Sequence, residues 1–314
     1  MLTNQVKQDV LEAVKAYMSD QKLGLAEMNK LSGVNQSYIS QMLAGKETAS
    51  STGGKEVAIA DKYYIMLAQV VGVDVQKTYW KTIVTKQMRQ IITGLEVAKK
   101  QGTMATIICE TGLGKTYCKD LFYQQNPKHT YVVTINSLVR LHDVVNMLME
   151  EVGIPIKGSK ALRLANLIMK LREIKRSGGN PVIIFDEAEN MEHQLLKMIK
   201  GLFDGISGYA SIVLIGTSQL ETKMLKAKNQ NMEGGPQFYR RFKASLKRVN
   251  SVPNFQPFFD EFVGDNKLRK VLTQVCDNYG ELQSYLEPLM READMREREL
   301  NIEFFREVYP DVAA

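Results

Sequence analysis

The chain has 314 residues, 44% of them hydrophobic, a net charge of +6 at neutral pH, three cysteines and three histidines. That length fits two domains or one large one, and the apolar content suffices for a core. No run of eighteen apolar residues occurs, and M-L-T-N-Q-V-K-Q-D at the N-terminus lacks a signal peptide's apolar segment. Cys109, Cys118 and Cys276 form no C-x-x-C, so a soluble, cytoplasmic chain with no membrane, disulfide or zinc role is expected.

In chain order, Val6 to Met18 repeats Val6, Val10, Leu11, Val14 and Tyr17 at helical spacing. Leu25 to Lys46 holds two short helical patterns separated by Ser32-Gly33-Val34, and it resembles the repressor-like helix-turn-helix family. Ala26 falls where the helices approach, and Val34, Ile39 and Leu43 form the inward set. The second helix then exposes Asn35, Gln36, Ser37, Tyr38, Ser40 and Gln41, all able to bond phosphates or base edges. Gln36, Ser37 and Tyr38 are the candidate DNA contacts here. Residues 1–75 carry seven lysines against eight acids, however, so a protein-docking role stands beside the DNA-binding one. Thr48 to Lys55 reads as a loop inside this N-terminal domain, because Glu56 to Val71 continues a helical apolar pattern that needs a core. The boundary falls near Gly72 to Thr78, which leaves an all-α helix-turn-helix domain of residues 1–75. Trp80 to Lys100 is read as an amphipathic helix leading into the next domain.

Thr106 to Thr116, T-I-I-C-E-T-G-L-G-K-T, is an apolar run that breaks into Gly112, Gly114, Lys115 and Thr116. A strand, a glycine turn and a helix start together aim backbone N–H groups and a helix N-terminus at phosphate oxygens. The cradle is Glu110, Thr111, Gly112, Leu113, Gly114, Lys115, Thr116 and Tyr117. Lys115 reaches the β- and γ-phosphates of ATP as a point charge, and the Thr116 hydroxyl ligates Mg²⁺. Cys109 stands where the G-x-x-x-x-G-K-[ST] pattern begins with glycine.

Pro181 to Asn190, P-V-I-I-F-D-E-A-E-N, has the form of a buried parallel strand ending in acids. Ligands of open α/β sheets lie at the carboxyl ends of strands, so Asp186 faces the metal and Glu187 the attacking water. Thr106–Cys109, Thr130–Ile135, Val182–Phe185 and Ser211–Ile215 are the strand candidates, with helices over Leu138–Val152 and Lys160–Arg176 between them. This alternation implies an α/β domain with a mainly parallel sheet covered on both faces. Thr217 and Ser218 end the last of these strands, where a polar group could sense the γ-phosphate. Arg240 and Arg241 precede an apolar-interleaved basic stretch, and Asp260 to Pro310 reads as a helical lid.

The positive charge is concentrated. Gln76 to Lys100 holds six cationic residues against Glu96 alone, and Lys157 to Arg176 holds seven against Glu173. Basic stretches of this kind suit a polyanionic partner.

Phosphate loop, D-E strand, polar strand end, paired arginines and helical lid, in this order after a repressor-like domain, resemble an AAA+ ATPase. Within that class the chain is similar to the MuB/TnsC/IstB-like transposition ATPases. The resemblance implies an ATPase core at residues 76–258, a lid at 259–314, and an entry helix that covers the adenine. It implies an ATP-dependent protein that polymerises as a helical filament on double-stranded DNA, marks that DNA as a target, and stimulates a DDE transposase. It gives Thr217 the first sensor position and makes Arg240, with Arg241 second, the arginine supplied to a neighbouring subunit's γ-phosphate. Lys157, Lys160 and Arg163, in the loop and helix start before the second basic run, match where such filaments touch DNA. Gln283 in G-E-L-Q replaces the second-sensor arginine of the family, which with Cys109 implies slow or partner-dependent hydrolysis. A helicase loader or replication-initiation ATPase shares this core, and a transcription regulator with an ATP-gated helix-turn-helix shares the order of domains.

Overall fold

A computed structural model describes residues 4–46, 48–50, 56–73 and 79–312. The chain divides into two compact units, Met1–Lys81 and Thr82–Ala314. The expected boundary at 75/76 and the 51–55 part of the Ser/Thr/Gly stretch lie outside the described residues.

The first unit runs α1 (Asn4–Asp20), α2 (Leu25–Ser32), α3 (Gln36–Leu43), β1 (Thr48–Ser50), β2 (Glu56–Ala58) and α4 (Asp61–Val71). Val10 and Val14 of α1, Met28 of α2, Ile39 and Met42 of α3, and Tyr64 and Leu67 of α4 share one core. Gly33, in the left-handed region at φ 71°, ends α2, and the Asn35 side chain accepts from Ser37 N (2.9 Å) to start α3. Gln36 and Ser37 are exposed, while Tyr38 is half-buried with its ring edge-on to Tyr63, 4.8 Å between centroids. Val34, Ile39 and Leu43 pack into this core as expected, while two expectations need correction. Ala26 is exposed, with Met28 taking the inward position. Glu56–Ala58 is a strand paired antiparallel with Thr48–Ser50, so the unit is not purely helical. E-V-A-I-A alternates at period two, which favours a strand over the helical spacing read there.

The second unit begins with α5 (Lys86–Gln101), β3 (Met104–Ile108), α6 (Lys115–Gln125) and β4 (Thr130–Thr134). It continues through α7 (Leu141–Val152), α8 (Lys160–Arg176), β5 (Val182–Asp186), α9 (His193–Ile206) and β6 (Ser211–Gly216). Then come α10 (Ser218–Asn229), α11 (Gly235–Ala244), β7 (Leu246–Arg248), and the terminal helices α12 (Gln256–Phe262), α13 (Asn266–Val275), α14 (Tyr279–Met295) and α15 (Ile302–Val308). The sheet order is β4-β5-β6-β3-β7, with every pairing parallel. All residues of β3, β5 and β6 are buried, as expected of strands covered on both faces.

Helix α5 starts at Lys86 rather than Trp80, because the β-branched run Thr82-Ile83-Val84-Thr85 resists helix and the Thr85 hydroxyl caps Met88 N (3.1 Å). Helix α7 starts at Leu141 rather than Leu138. Asn136 Oδ1 accepts from Leu138 N (2.9 Å) and Val139 N (3.2 Å), an Asx turn that holds the chain out of the helix and leaves Leu138 83% exposed. Strand β7 was not expected, since the edge segment L-K-R is short and basic rather than apolar. Among the described residues no helix is long and apolar enough to cross a membrane.

Leu214 sits fully buried at the middle of β6, so Leu214→Ala should destabilise the second unit by about 2–5 kcal/mol. Leu138→Ala should stay within about 0.5 kcal/mol of the parent. Urea unfolding followed by circular dichroism separates the two.

Candidate functional site

Strand β3 runs straight into the glycine turn. Gly112 (φ 76°) and Gly114 (φ 85°) both take left-handed conformations, and Lys115 opens α6 immediately afterwards. Side chains are disfavoured at such φ values, and at Gly112 a Cβ would also collide with Asn278, 2.0 Å from its Oδ1. The Lys115 ammonium donates to Cys109 O (2.8 Å), folding back over the loop. Leu113 and Cys109 are buried beneath it, Thr111, Thr116 and Tyr117 are exposed, and the Tyr117 and Thr82 hydroxyls are paired. Glu110 accepts from Ser218 N (3.3 Å), which ties the loop to the N-terminus of α10.

The parallel register brings two further strand ends beside the loop. Cys109 N donates to Gly216 O (2.9 Å), so Thr217, immediately after β6, follows directly on the strand adjoining β3. Asp186 ends β5, the next strand over, and is 1% exposed. Its Oδ1 accepts from Glu187 N (3.0 Å), and its Oδ2 pairs with the Lys119 ammonium (2.9 Å) from one turn into α6. Burial disfavours the Lys119 charge, yet the hydrogen bonds and charges of Asp186 and Asp120 overcome it, leaving the pKa above that of free lysine. Glu187 is exposed and sits at φ 53°, a conformation uncommon outside glycine that concentrates at functional sites. Asn190 Nδ2 donates to Glu187 Oε2 (3.3 Å) and Ile135 O (2.9 Å).

Thr217 Oγ1 and Glu189 Oε2 are buried without a hydrogen-bond partner among the described residues. An unpaired buried hydroxyl beside a glycine loop matches a site built for an anionic oxygen. A buried carboxylate in Asp186, with the Thr116 hydroxyl at the head of the adjacent helix, is the hard oxygen donor set that Mg²⁺ takes. The residues present therefore fit a Mg²⁺ nucleotide.

Helix α14 closes over this site. Gly280 N donates to Gly112 O (3.0 Å), and Asn278, which caps α14 by accepting from Glu281 N (3.0 Å), lies against Gly112. Tyr279 OH accepts from Asn254 N (2.9 Å) and donates to Gln87 Oε1 (2.9 Å), joining the lid to the start of α5. Asn278 and Tyr279 are site residues that the motif pattern did not single out. Their only signal was adjacency to the glycine of G-E-L-Q. Gln283 is exposed and donates to Glu287 Oε2 (2.9 Å) within its own helix.

The paired arginines are not gathered at this loop. Arg241 pairs with Asp204 (2.6 Å) and lines a cavity of about 440 Å³ at the Met104 end of β3, opposite the loop. Arg240 is exposed and has no ion pair among the described residues. Lys157 in the α7–α8 loop and Lys160 at the start of α8 are exposed, whereas Arg163 of α8 donates to Gly158 O (3.1 Å) and Asn146 Oδ1 (2.7 Å) and so braces the loop.

Residues 98–224 match the family model of an AAA domain. With the parallel sheet, the glycine loop and the adjoining acid, residues 98–224 form an AAA domain, and the general chemistry of such domains is nucleotide hydrolysis. The chain is similar to the Mu-like prophage FluMu DNA transposition protein B of Haemophilus influenzae, 24% identical over 217 residues that cover 68% of this chain and 71% of that protein. Two solved structures share the fold at a TM-score of 0.52 and 12% identity, Cdc6p from Pyrobaculum aerophilum and the Aeropyrum pernix ORC2 protein in ADPNP–ADP complexes. The matches cover 71% and 72% of this chain and 66% of each solved chain, just under two thirds of their length.

Burial pushes the Cys109 thiol up to about 11, with Lys115 pulling the other way, and pushes Cys118 and Cys276 up to about 12. All three thiols are therefore protonated at pH 8 in the folded chain. Iodoacetamide at that pH should label the native protein at least tenfold more slowly than the urea-unfolded chain, a rough factor from the thiolate fraction. Equal rates would contradict the burial.

Proposed function

We propose that the chain is an ATP-dependent, sequence-indifferent DNA-binding ATPase that assembles as a filament on duplex DNA, selects that DNA as a transposition target, and activates a DDE transposase. The observation that carries the reading is the similarity to a DNA transposition protein B across 68% of the chain, joined to a nucleotide loop whose strand neighbours supply an acid and a polar sensor.

On this reading Lys115 and the loop N–H groups hold the β- and γ-phosphates, and the buried Thr217 hydroxyl donates to a γ-phosphate oxygen. Thr116 and Asp186 would hold Mg²⁺, which supplies charge neutralisation on the phosphates when bound. Glu187 takes the proton of the attacking water as general base. Arg240, exposed and unpaired, is the better candidate for the arginine given to a neighbouring copy, because Arg241 is committed to Asp204. The core at 76–258 and the lid at 259–314 then form one nucleotide-sensing unit, with Gly280 and Asn278 resting on Gly112.

Lys157 from the α7–α8 loop and Lys160 from the start of α8 are exposed, with no ion pair among the described residues, which suits contacts to phosphate rather than to bases. In the first unit, Gln36 and Ser37 are open to a second DNA contact. Tyr38, half-packed on Tyr63, offers only its polar edge.

Duplex binding across a salt series, with ATP, ADP or no nucleotide and with electron microscopy of the same samples, tests the reading. Filaments that require ATP and ignore sequence, and that Lys115→Ala abolishes, are expected. Replacing Lys157 and Lys160 together by Ala should flatten the slope of log Kobs against log salt by about two. Tight, nucleotide-indifferent binding to one sequence without filaments would contradict the proposal.

A further inference from the structure

Lys119 has none of the roles given above. The Lys119 side chain is 9% exposed and that of Asp186 2%, so two opposite charges are buried together 2.9 Å apart at the site where the fold places its metal ligand. The partner is not accidental to the helix. Lys119 lies three residues after Thr116 on α6, so the helical period puts the two on one face, and the Lys119 ammonium reaches the end of β5. An aspartate this deeply buried needs a cation, since an unpaired carboxylate out of water is strongly disfavoured. Asp186 has two oxygens. One is taken by Glu187 N, and the other by Lys119.

We propose that Lys119 is a resident counter-ion for Asp186, which stabilises the metal-free chain and competes with Mg²⁺ for the carboxylate, so that it sets the Mg²⁺ concentration at which nucleotide binds. The competition is electrostatic. A divalent cation brought to the same carboxylate meets the ammonium as a like charge at short range and low dielectric, and the ammonium must release Oδ2 or tolerate the repulsion. Lys119 acts through Asp186 and is a positioning residue. Its other neighbour, Asp120, is exposed and 3.3 Å away, and offers a place to which the ammonium can retreat.

The inference rests on the nucleotide reading for its binding arm only. The test compares the parent, Lys119→Met and Lys119→Arg in the full chain, by fluorescence of an N-methylanthraniloyl ATP probe against Mg²⁺ and by thermal melting with and without Mg²⁺ alone. Lys119→Met should bind the probe at roughly tenfold lower Mg²⁺ than the parent, because a like charge has been removed next to the metal ligand. It should melt below the parent without metal and recover part of the deficit when Mg²⁺ is added. Lys119→Arg, which keeps the charge, should follow the parent. An unchanged or higher Mg²⁺ requirement in Lys119→Met overturns the proposal. So does a melting deficit that Mg²⁺ leaves untouched, or a Lys119→Met chain that fails to fold even with Mg²⁺ and ATP. If the parent binds no probe at any Mg²⁺ while Mg²⁺ alone rescues Lys119→Met, the counter-ion role stands and the nucleotide reading falls.

Discussion

The site depends on where β3 sits in the sheet. It is hydrogen-bonded on one side to β6 and on the other to β7, so the direction of its last residues is held from both flanks. Cys109 N reaches Gly216 O and Ile108 O receives Val249 N just past the ladder proper, which carries that constraint to the first residue of the glycine turn. A loop anchored this way can spend two residues in left-handed conformations and still deliver Lys115 and the N-terminus of α6 to a fixed point. The remaining site groups follow from register. Thr217 and Asp186 arrive beside the loop because their strands stop level with it, and a one-strand change in order would separate them.

Two buried polar groups meet at this edge. Thr217 Oγ1 is buried without a hydrogen-bond partner among the described residues, and Asp186 is buried with the Lys119 ammonium as its counter-ion. Buried polar groups without partners are unfavourable to folding and persist where a ligand completes them. The lid adds a third feature. Asn278 and Gly280 touch Gly112, while Tyr279 links the same helix end to Gln87 and Asn254, so a change in the loop has a direct mechanical route into α14 and α5. Gln283 is engaged to Glu287 within α14, so that route runs through the backbone contact at Gly112.

The central strands and the loop were legible because their physics is local. A strand buried on both faces must be apolar throughout, and glycines at positive φ leave a direct mark in the sequence. Strand β7 left none, since an edge strand of L-K-R has no apolar period to read. The starts of α5 and α7 were misplaced because Thr85 and Asn136 act through side-chain hydrogen bonds, which periodicity does not register. The role of Lys119 was hidden for a related reason. One more lysine in a basic chain gains meaning only when its helix turns it towards Asp186. Asn278 against Gly112, and Arg241 against Asp204, likewise join residues far apart in the chain, and only the fold brings them together.

The most direct test of the account is ATP binding and turnover measured together on Glu187→Gln, beside the parent. On the proposed function Glu187 activates water while Lys115 and the loop hold the phosphates, so the variant should bind ATP as the parent does while losing turnover by about 10²–10⁴-fold, the range for a general base. A variant that hydrolyses ATP at the parent's rate would show that Glu187 is not the base and that the site's chemistry has been assigned to the wrong acid.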